Sequence, residues 1–156
     1  DFMAEAFERN SLEIAFHGVN IKPGRPIMMG KMENTFVMCL PGNPLTAMVN
    51  MHLFALPVLH KMQGSQAIHH DIDIAKNIQS FKTKSGRVNV VLGFYKNGEY
   101  RVTQNNKYGS GMITVLHDSN CILVTDEATA LIREQESVKV IKFNCLYTKD
   151  QIDLFN

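Results

Sequence analysis

Two short stretches hold the residues whose types and spacing can do chemistry: Lys22-Pro23-Gly24-Arg25-Pro26 and Leu40-Pro41-Gly42-Asn43-Pro44. In each, proline fixes φ at about −65° and removes a donor N–H, while glycine permits positive φ and close backbone approach. The product is a rigid turn that closes a short apolar run. The first turn carries fixed positive charge on Lys22 and Arg25. The second opens a helix-like segment in which the Thr46 hydroxyl and the first free N–H groups can donate to an anion. Read together, the turns are a shaped loop for an oxyanion. The plainer alternatives are solvated turn cations for Lys22 and Arg25, and for Thr46 a hydroxyl that satisfies its own backbone. Pro26, Pro41, Gly42 and Pro44 act by shape, and Asn43 braces its turn through the side chain.

The elements that must position these turns follow from periodicity. Residues 2–10 place Phe2, Met3, Ala6 and Phe7 on one helical face, with Asp1 as a cap. Ile14–Phe16, Val19–Ile21 and Ile27–Gly30 read as strands, and residues 31–35 as a polar turn. Phe36–Leu40 is a continuous apolar run, as in a buried strand of a parallel sheet. Residues 45–62 predict a long helix, apolar all round and therefore buried, which Pro57 must kink.

Gln63-Gly64-Ser65-Gln66 is the best boundary, giving segments 1–64 and 65–156. Beyond it, strands alternate with turn signals over 72–78, 88–94, 100–104, 121–125 and 137–143. Asn97-Gly98 is a strong hairpin signal. Met112–Leu116 reads as a short helical piece. The second segment is a small β-domain of the barrel or sandwich type. The first is too small for a finished α/β unit, so further sequence or a partner chain is expected to cover its open edges.

Composition excludes several classes. In 156 residues, 45% are apolar and 20% charged, with a formal net charge of +1. No charge field directs the chain to nucleic acid or to a membrane surface. No run of about 18 apolar residues marks a membrane span. Cys39, Cys121 and Cys145 are far apart with no C-x-x-C, so buried thiols in a reducing compartment are expected. The six histidines lack metal-ligand spacing: His69 and His70 would point apart on a strand, and His52 and His60 lie on either side of Pro57. The nine methionines fit core filling.

Lys22-Pro23-Gly24-Arg25-Pro26, then Leu40-Pro41-Gly42-Asn43-Pro44-Leu45-Thr46-Ala47, then Lys61-Met62-Gln63-Gly64 resemble the molybdopterin molybdotransferases, the MoeA-type enzymes and the E domain of gephyrin. Ser85-Gly86-Arg87 and Gly109-Ser110 fit the same order. The resemblance covers nearly all of residues 1–146. It implies the C-terminal portion of a three-layer α/β molybdopterin-binding domain, followed by a small β-barrel-like domain, in a chain that is part of something longer.

It also implies insertion of molybdate into the dithiolene of adenylylated molybdopterin with release of AMP, assisted by a divalent metal such as magnesium, in a cytoplasmic homodimer joined through the α/β domain. Carried over residue by residue, Lys22, Arg25, Thr46, Arg87 and Ser110 would hold molybdate, with Pro26, Pro41, Gly42, Asn43 and Pro44 shaping the pocket. Asp1, Lys22 and Arg25 would be catalytic, and Asp1 the metal ligand. Arg25 stands where the family usually has Lys, which forks the donors offered to the anion. Thr46 stands where it commonly has Ser. The resemblance leaves a non-catalytic, gephyrin-like scaffold or partner-binding module as the alternative, and tungstate as an alternative oxyanion.

Overall fold

The computed structural model describes residues 2–109 and 111–143. Helix α1 (Phe2–Arg9) precedes an antiparallel three-stranded sheet in the order β1-β3-β4, formed by β1 (Glu13–His17), β3 (Met28–Met32) and β4 (Thr35–Cys39). Between β1 and β3 lies a two-residue strand, β2 (Ile21–Lys22), which leaves this sheet for another. A nineteen-residue helical rod follows, as α2 (Pro44–Asn50), a π-turn (Met51–Ala55) and α3 (Leu56–Met62).

The π-turn answers the kink expected at Pro57. Proline cannot donate to the carbonyl four residues back, and its ring collides with it. The rod widens its register just before Pro57, and the Leu56 N–H reaches back to the Met51 carbonyl. Pro44 occupies the first turn of α2, where its missing N–H costs nothing.

The second segment closes a five-stranded barrel. Its strands are β5 (Ile72–Asn77), β7 (Val88–Lys96), β8 (Glu99–Val102), β9 (Cys121–Thr125) and β11 (Ser137–Lys142), hydrogen-bonded in the ring β7-β8-β5-β11-β9 and back to β7. Only β5–β8 is parallel within this ring. The β7–β8 hairpin turns at Asn97-Gly98, both at positive φ, as a two-residue loop matched to strand twist requires. A two-stranded ribbon, β6 (Phe81–Lys82) with β10 (Leu131–Ile132), sits beside the barrel, and α4 (Thr114–His117) precedes β9.

The two segments share one body. β2 adds to β7 in parallel, pairing Ile21 with Val88 and Lys22 with Asn89. Strand β7 is buried from Asn89 to Gly93 because both its faces are covered. Val91 points into the barrel with Tyr100, Leu123 and Val140. Val90 and Leu92 point outward onto Leu45 and Val49 of α2, with Val115, Ile122 and Phe143 completing that second core. Inside the barrel Gly93 makes room for Tyr100, since a Cβ there would lie 2.2 Å from a ring carbon.

Three expectations need correction. Phe36–Leu40 is not a buried parallel strand: β4 folds straight back on β3 through a turn with Glu33 at positive φ, a connection too short for a parallel crossover. It is an edge strand, with Phe36 52% exposed. The rod is buried along α2 and at Ala55 of the π-turn; α3 buries no residue, and Leu59 and Met62 are exposed. The strand expected over 100–104 ends at Val102, where a tight turn (Thr103–Asn106) takes Gln104, Asn105 and Asn106 into left-handed backbone.

Candidate functional site

The β2–β7 junction sets both Pro-Gly turns against the start of the barrel, and a cleft of about 750 Å³ opens between them. Each wall comes from a different element. The first turn supplies Lys22, Arg25 and Pro26. The second turn and the start of α2 supply Pro41, Asn43 and Thr46. The β6–β7 connection supplies Lys82, Lys84 and Arg87, and the floor carries Asn89, Asn106 and Tyr108. Among the described residues five cations line the cleft and no Asp or Glu does. In a chain of net charge +1 this is a local concentration of positive charge, suited to anionic ligands.

The first turn is locked from beneath. Gly24 has φ +129°, and a Cβ on it would lie 2.5 Å from both Asn50 Oδ1 and Ile21 Cδ1. Only glycine fits. Asn50, fully buried on α2, donates from Nδ2 to the Gly24 carbonyl at 3.0 Å. The Val19 N–H closes the loop onto the Arg25 carbonyl at 3.0 Å. Lys22 and Arg25 therefore project from a fixed backbone while their side chains stay exposed.

The opposite wall is organised by Asn89, which is 5% exposed. Its Nδ2 donates to the Lys84 carbonyl at 2.9 Å and the Arg87 carbonyl at 3.1 Å. Its Oδ1 accepts the Lys84 N–H at 3.3 Å. The loop bearing Lys84 and Arg87 is thus wrapped around one amide, and that amide is the register partner of Lys22. Further back, the Thr83 hydroxyl donates to the Thr129 carbonyl at 2.8 Å, and the Gly86 N–H to the Glu127 carbonyl at 2.8 Å. Asn20 joins the two segments with an Nδ2 bond to Glu127 Oε1 at 2.6 Å. On the floor, the Leu92 N–H donates to Tyr108 Oη at 2.8 Å, and burial pushes the Tyr108 phenol up to about 12. Tyr108 therefore keeps its proton and stays neutral at physiological pH.

Of the residues singled out in the sequence, Lys22, Arg25, Pro26, Pro41, Asn43, Thr46 and Arg87 all line this cleft. Gly42 and Pro44 belong to the second turn but not to the lining, and a Cβ on Gly42 would meet nothing within 4 Å. Asp1 and Ser110 lie outside the described residues, although Gly109 beside Ser110 lines the cleft. Lys82, Lys84, Asn89, Asn106 and Tyr108 were not anticipated. The alternating Lys82-Thr83-Lys84 just before Ser85-Gly86-Arg87 was a legible signal for the cations; nothing marked Asn89 or Asn106.

Among the described residues no three His, Cys, Asp or Glu side chains converge on a point that could hold a metal ion. The cleft also offers Mg²⁺ no carboxylate. The described part of the chain does not fit a resident magnesium. Cys121 lies inside the barrel, where burial, with Asp73 nearby, pushes its thiol up to about 12. What the site can do is fix anions by charge and by donors.

Residues 1–61 match the probable molybdopterin binding domain family, and residues 75–143 match the MoeA C-terminal region (domain IV). A molybdopterin molybdenumtransferase of Haemophilus influenzae is 30% identical over 152 residues, which are 94% of this chain and 37% of that protein. The molybdenum cofactor synthesis protein cinnamon of Drosophila melanogaster is 39% identical over 64 residues, 41% of this chain and 11% of that protein. Among solved structures, a molybdopterin biosynthesis MoeA protein of Pyrococcus horikoshii superposes with a TM-score of 0.70 at 28% identity, over 91% of this chain and 39% of that one. A molybdenum cofactor biosynthesis protein of Pyrococcus furiosus gives 0.71 at 30% identity, over 90% and 54%. The chain spans well under two thirds of each of these relatives. An α/β segment joined to a five-stranded barrel thus matches, in order, a probable molybdopterin binding domain and the MoeA C-terminal region, the arrangement of the MoeA protein on which the chain superposes.

Proposed function

We propose that this chain takes part in molybdenum cofactor biosynthesis as the part of a molybdopterin molybdotransferase that holds molybdate while it is inserted into adenylylated molybdopterin, with release of AMP. The observation that carries the reading is the convergence of Lys22, Arg25, Lys82, Lys84 and Arg87 on one cleft that no carboxylate lines among the described residues. Molybdate is a tetrahedral dianion, and fixed cations with hydrogen-bond donors bind such an ion as they bind phosphate.

Lys22, Arg25 and Arg87 supply the charge that holds the dianion against the substrate. Thr46, 4% exposed at the start of α2, supplies a hydroxyl, and Ser110, outside the described residues, is assigned the same role. Catalysis is positioning and charge stabilisation: backbones locked by Asn50 and Asn89 hold the cations at fixed separations, so little reorganisation is needed when charge develops. Asp1, proposed with Lys22 and Arg25 as catalytic and as the ligand of Mg²⁺, would act from outside the described residues, and no step is assigned to that metal here.

The exposed apolar side chains of Phe2, Phe36, Leu59 and Met62 support a homodimer joined through the α/β segment. The free thiols of Cys39 and Cys121 agree with a cytoplasmic setting, and among the described residues no helix is long and apolar enough to cross a membrane.

The test is calorimetric titration of molybdate into the 156-residue chain, with sulfate as competitor and Lys22→Ala as control. Selective molybdate binding that Lys22→Ala removes is the expected result. A chain that is folded and dimeric but does not bind molybdate would refute the reading and favour a scaffold module.

A further inference from the structure

Outside the cleft, Pro57 leaves one carbonyl of the helical rod without its usual donor. In the π-turn the Leu56 N–H is committed to the Met51 carbonyl. The next residue along, Pro57, has no N–H to give. The His52 carbonyl therefore loses the partner the rod would have supplied, and a carbonyl held away from water needs one. His70, eighteen residues further on, takes its place: His70 Nε2 lies 2.5 Å from the His52 carbonyl oxygen. A carbonyl only accepts, so Nε2 carries the hydrogen, and in the neutral ring the lone pair sits on Nδ1. The backbone thus fixes the tautomer of His70.

The two imidazoles lie close, with ring centroids 6.3 Å apart and planes tilted by 45°. The Phe143 ring, 4.9 Å from that of His52, restricts how His52 can turn. Burial first, and then His70, hold His52 below its ordinary pKa of 6.5, so it too keeps a lone pair at neutral pH. An imidazole whose second nitrogen donates to a backbone carbonyl is the usual form of a metal-binding histidine. Two imidazoles sharing a tetrahedral ion at about 2.0–2.1 Å per bond have centroids roughly 5 Å apart, so this pair needs to close by only about 1 Å. Both residues are half-buried, which leaves room for that turn and lets water complete the coordination. Asp73, close by in sequence, is engaged by Lys142 at 2.8 Å and is not counted among the ligands.

We propose that His52 and His70 form a two-histidine site for a divalent transition-metal ion of the zinc class, and that the bound ion clips the rod to the start of the barrel. His52 belongs to the π-turn of the first segment, and His70 stands two residues before β5 of the second. Neither lines the cleft, and the site is independent of the molybdate reading. Imidazole favours such ions over magnesium, which is bound through oxygen. With two protein ligands, the site is weaker than a four-ligand structural zinc centre. No local motif announces it, because the two histidines meet only at the carbonyl that Pro57 leaves open.

The probe is Zn²⁺, titrated into the 156-residue chain and followed by calorimetry and by the histidine ring signals in NMR, with Mg²⁺ as the hard-ion comparison. The variants are His52→Gln, His70→Gln and the control His60→Gln, an exposed histidine on α3. One equivalent of zinc is expected to shift the His52 and His70 signals before those of other histidines and to raise Tm by several degrees, while a large excess of Mg²⁺ does neither. His52→Gln and His70→Gln each weaken zinc at least tenfold and cancel the rise in Tm; His60→Gln leaves affinity within twofold. Glutamine at position 70 can still donate an amide hydrogen to the His52 carbonyl, so the loss of zinc there reports the ligand, and circular dichroism confirms the fold. Wild-type affinity in either folded variant would overturn the proposal, as would zinc shifting other histidines first. Zinc bound at both rings with no rise in Tm would overturn the clip. If a variant fails to fold, the ring signals of the wild-type chain decide the site by themselves.

Discussion

Replacing Asn89 separates the architecture of the cleft from its charges, because Asn89 carries none. Its side chain makes three bonds within the β6–β7 loop: Nδ2 to the Lys84 and Arg87 carbonyls, and Oδ1 from the Lys84 N–H. A fourth joins Nδ2 to Thr125 Oγ1 at 3.2 Å. At roughly 1 kcal/mol net for each bond, with water replacing part of the loss at the half-buried loop, Asn89→Ala costs about 2–4 kcal/mol. For a chain of this length that lowers Tm by on the order of 10 °C. Asn89→Asp keeps the shape and one acceptor, but it removes the donors and turns a carboxylate oxygen toward two carbonyls. It also places a negative charge among the five cations. The buried repulsion between that oxygen and the two carbonyls outweighs its attraction to the exposed, solvent-screened cations, so the Asp variant is less stable than the Ala variant at neutral pH; it also binds molybdate roughly tenfold more weakly than Ala does, since an added like charge at an effective dielectric near 20 costs roughly 1–2 kcal/mol. Urea unfolding followed by circular dichroism gives the first ordering, and calorimetry gives the second. An Asp variant as stable as wild type, or one that binds molybdate as well as Ala does, would refute the assignment of Asn89 as the amide that organises this wall.

Three further outcomes are expected. Gly24→Ala forces a side chain into Asn50 and Ile21 at a left-handed φ, costs about 2–4 kcal/mol and removes molybdate binding, and a variant with wild-type affinity would show that the turn is not the anchor of the site. His52, half-buried against Phe143 with His70 near it, is held below its ordinary pKa of 6.5 first by burial and then by His70. Its stabilising contribution is fully present above pH 6.5 and is lost as pH falls through the lower folded value, because the unfolded chain takes up the proton first. The urea midpoint of wild type therefore drops between pH 7 and pH 5, and His52→Gln flattens that slope; an identical slope in the variant contradicts the assignment. Finally, a thiol reagent at pH 8 modifies the half-buried Cys39 in the native state but reaches Cys121 only after unfolding, since that thiol is buried and donates to the Gly93 carbonyl at 3.2 Å. Peptide mapping of the labelled cysteines decides this, and native labelling of Cys121 would mean that the barrel opens readily.

The barrel was legible because β5, β8 and β11 alternate around one interior and its sharpest hairpin is spelled Asn97-Gly98. The two Pro-Gly turns were legible for the same local reason, since proline and glycine report backbone shape directly. What failed was inference about neighbours. Phe36–Leu40 is apolar enough for a central strand, but composition cannot distinguish a strand covered on both faces from an edge strand whose outer face is uncovered within this chain. The strands β6 and β10 are two residues long and carry no period. Asn50 and Asn89 are ordinary polar letters in the sequence. Their roles arise from main-chain groups brought close by the fold, from Gly24 on one wall and from Lys84 and Arg87 on the other.

The pairing of β2 with β7 shows why the cleft depends on both segments. Two residues are too few to specify a register by themselves, and a slip of one position would turn Lys22 to the opposite face of the strand. The register is pinned on both sides. Before β2, the Val88 N–H donates to the Asn20 carbonyl at 3.1 Å, and the Asn20 side chain holds Glu127. After β2, Gly24 is clasped by Asn50, whose helix is seated on Val90 and Leu92 through Leu45 and Val49. Hydrophobic packing between the segments thus brings together cations that repel one another, and an anion bound between them relieves that repulsion only in the folded, joined state. Ligand and interface are therefore linked: an anion at one hundred times its dissociation constant adds about 2.7 kcal/mol to the stability of the assembled cleft. Most of that gain must disappear in any variant that separates β2 from β7 while leaving the barrel closed.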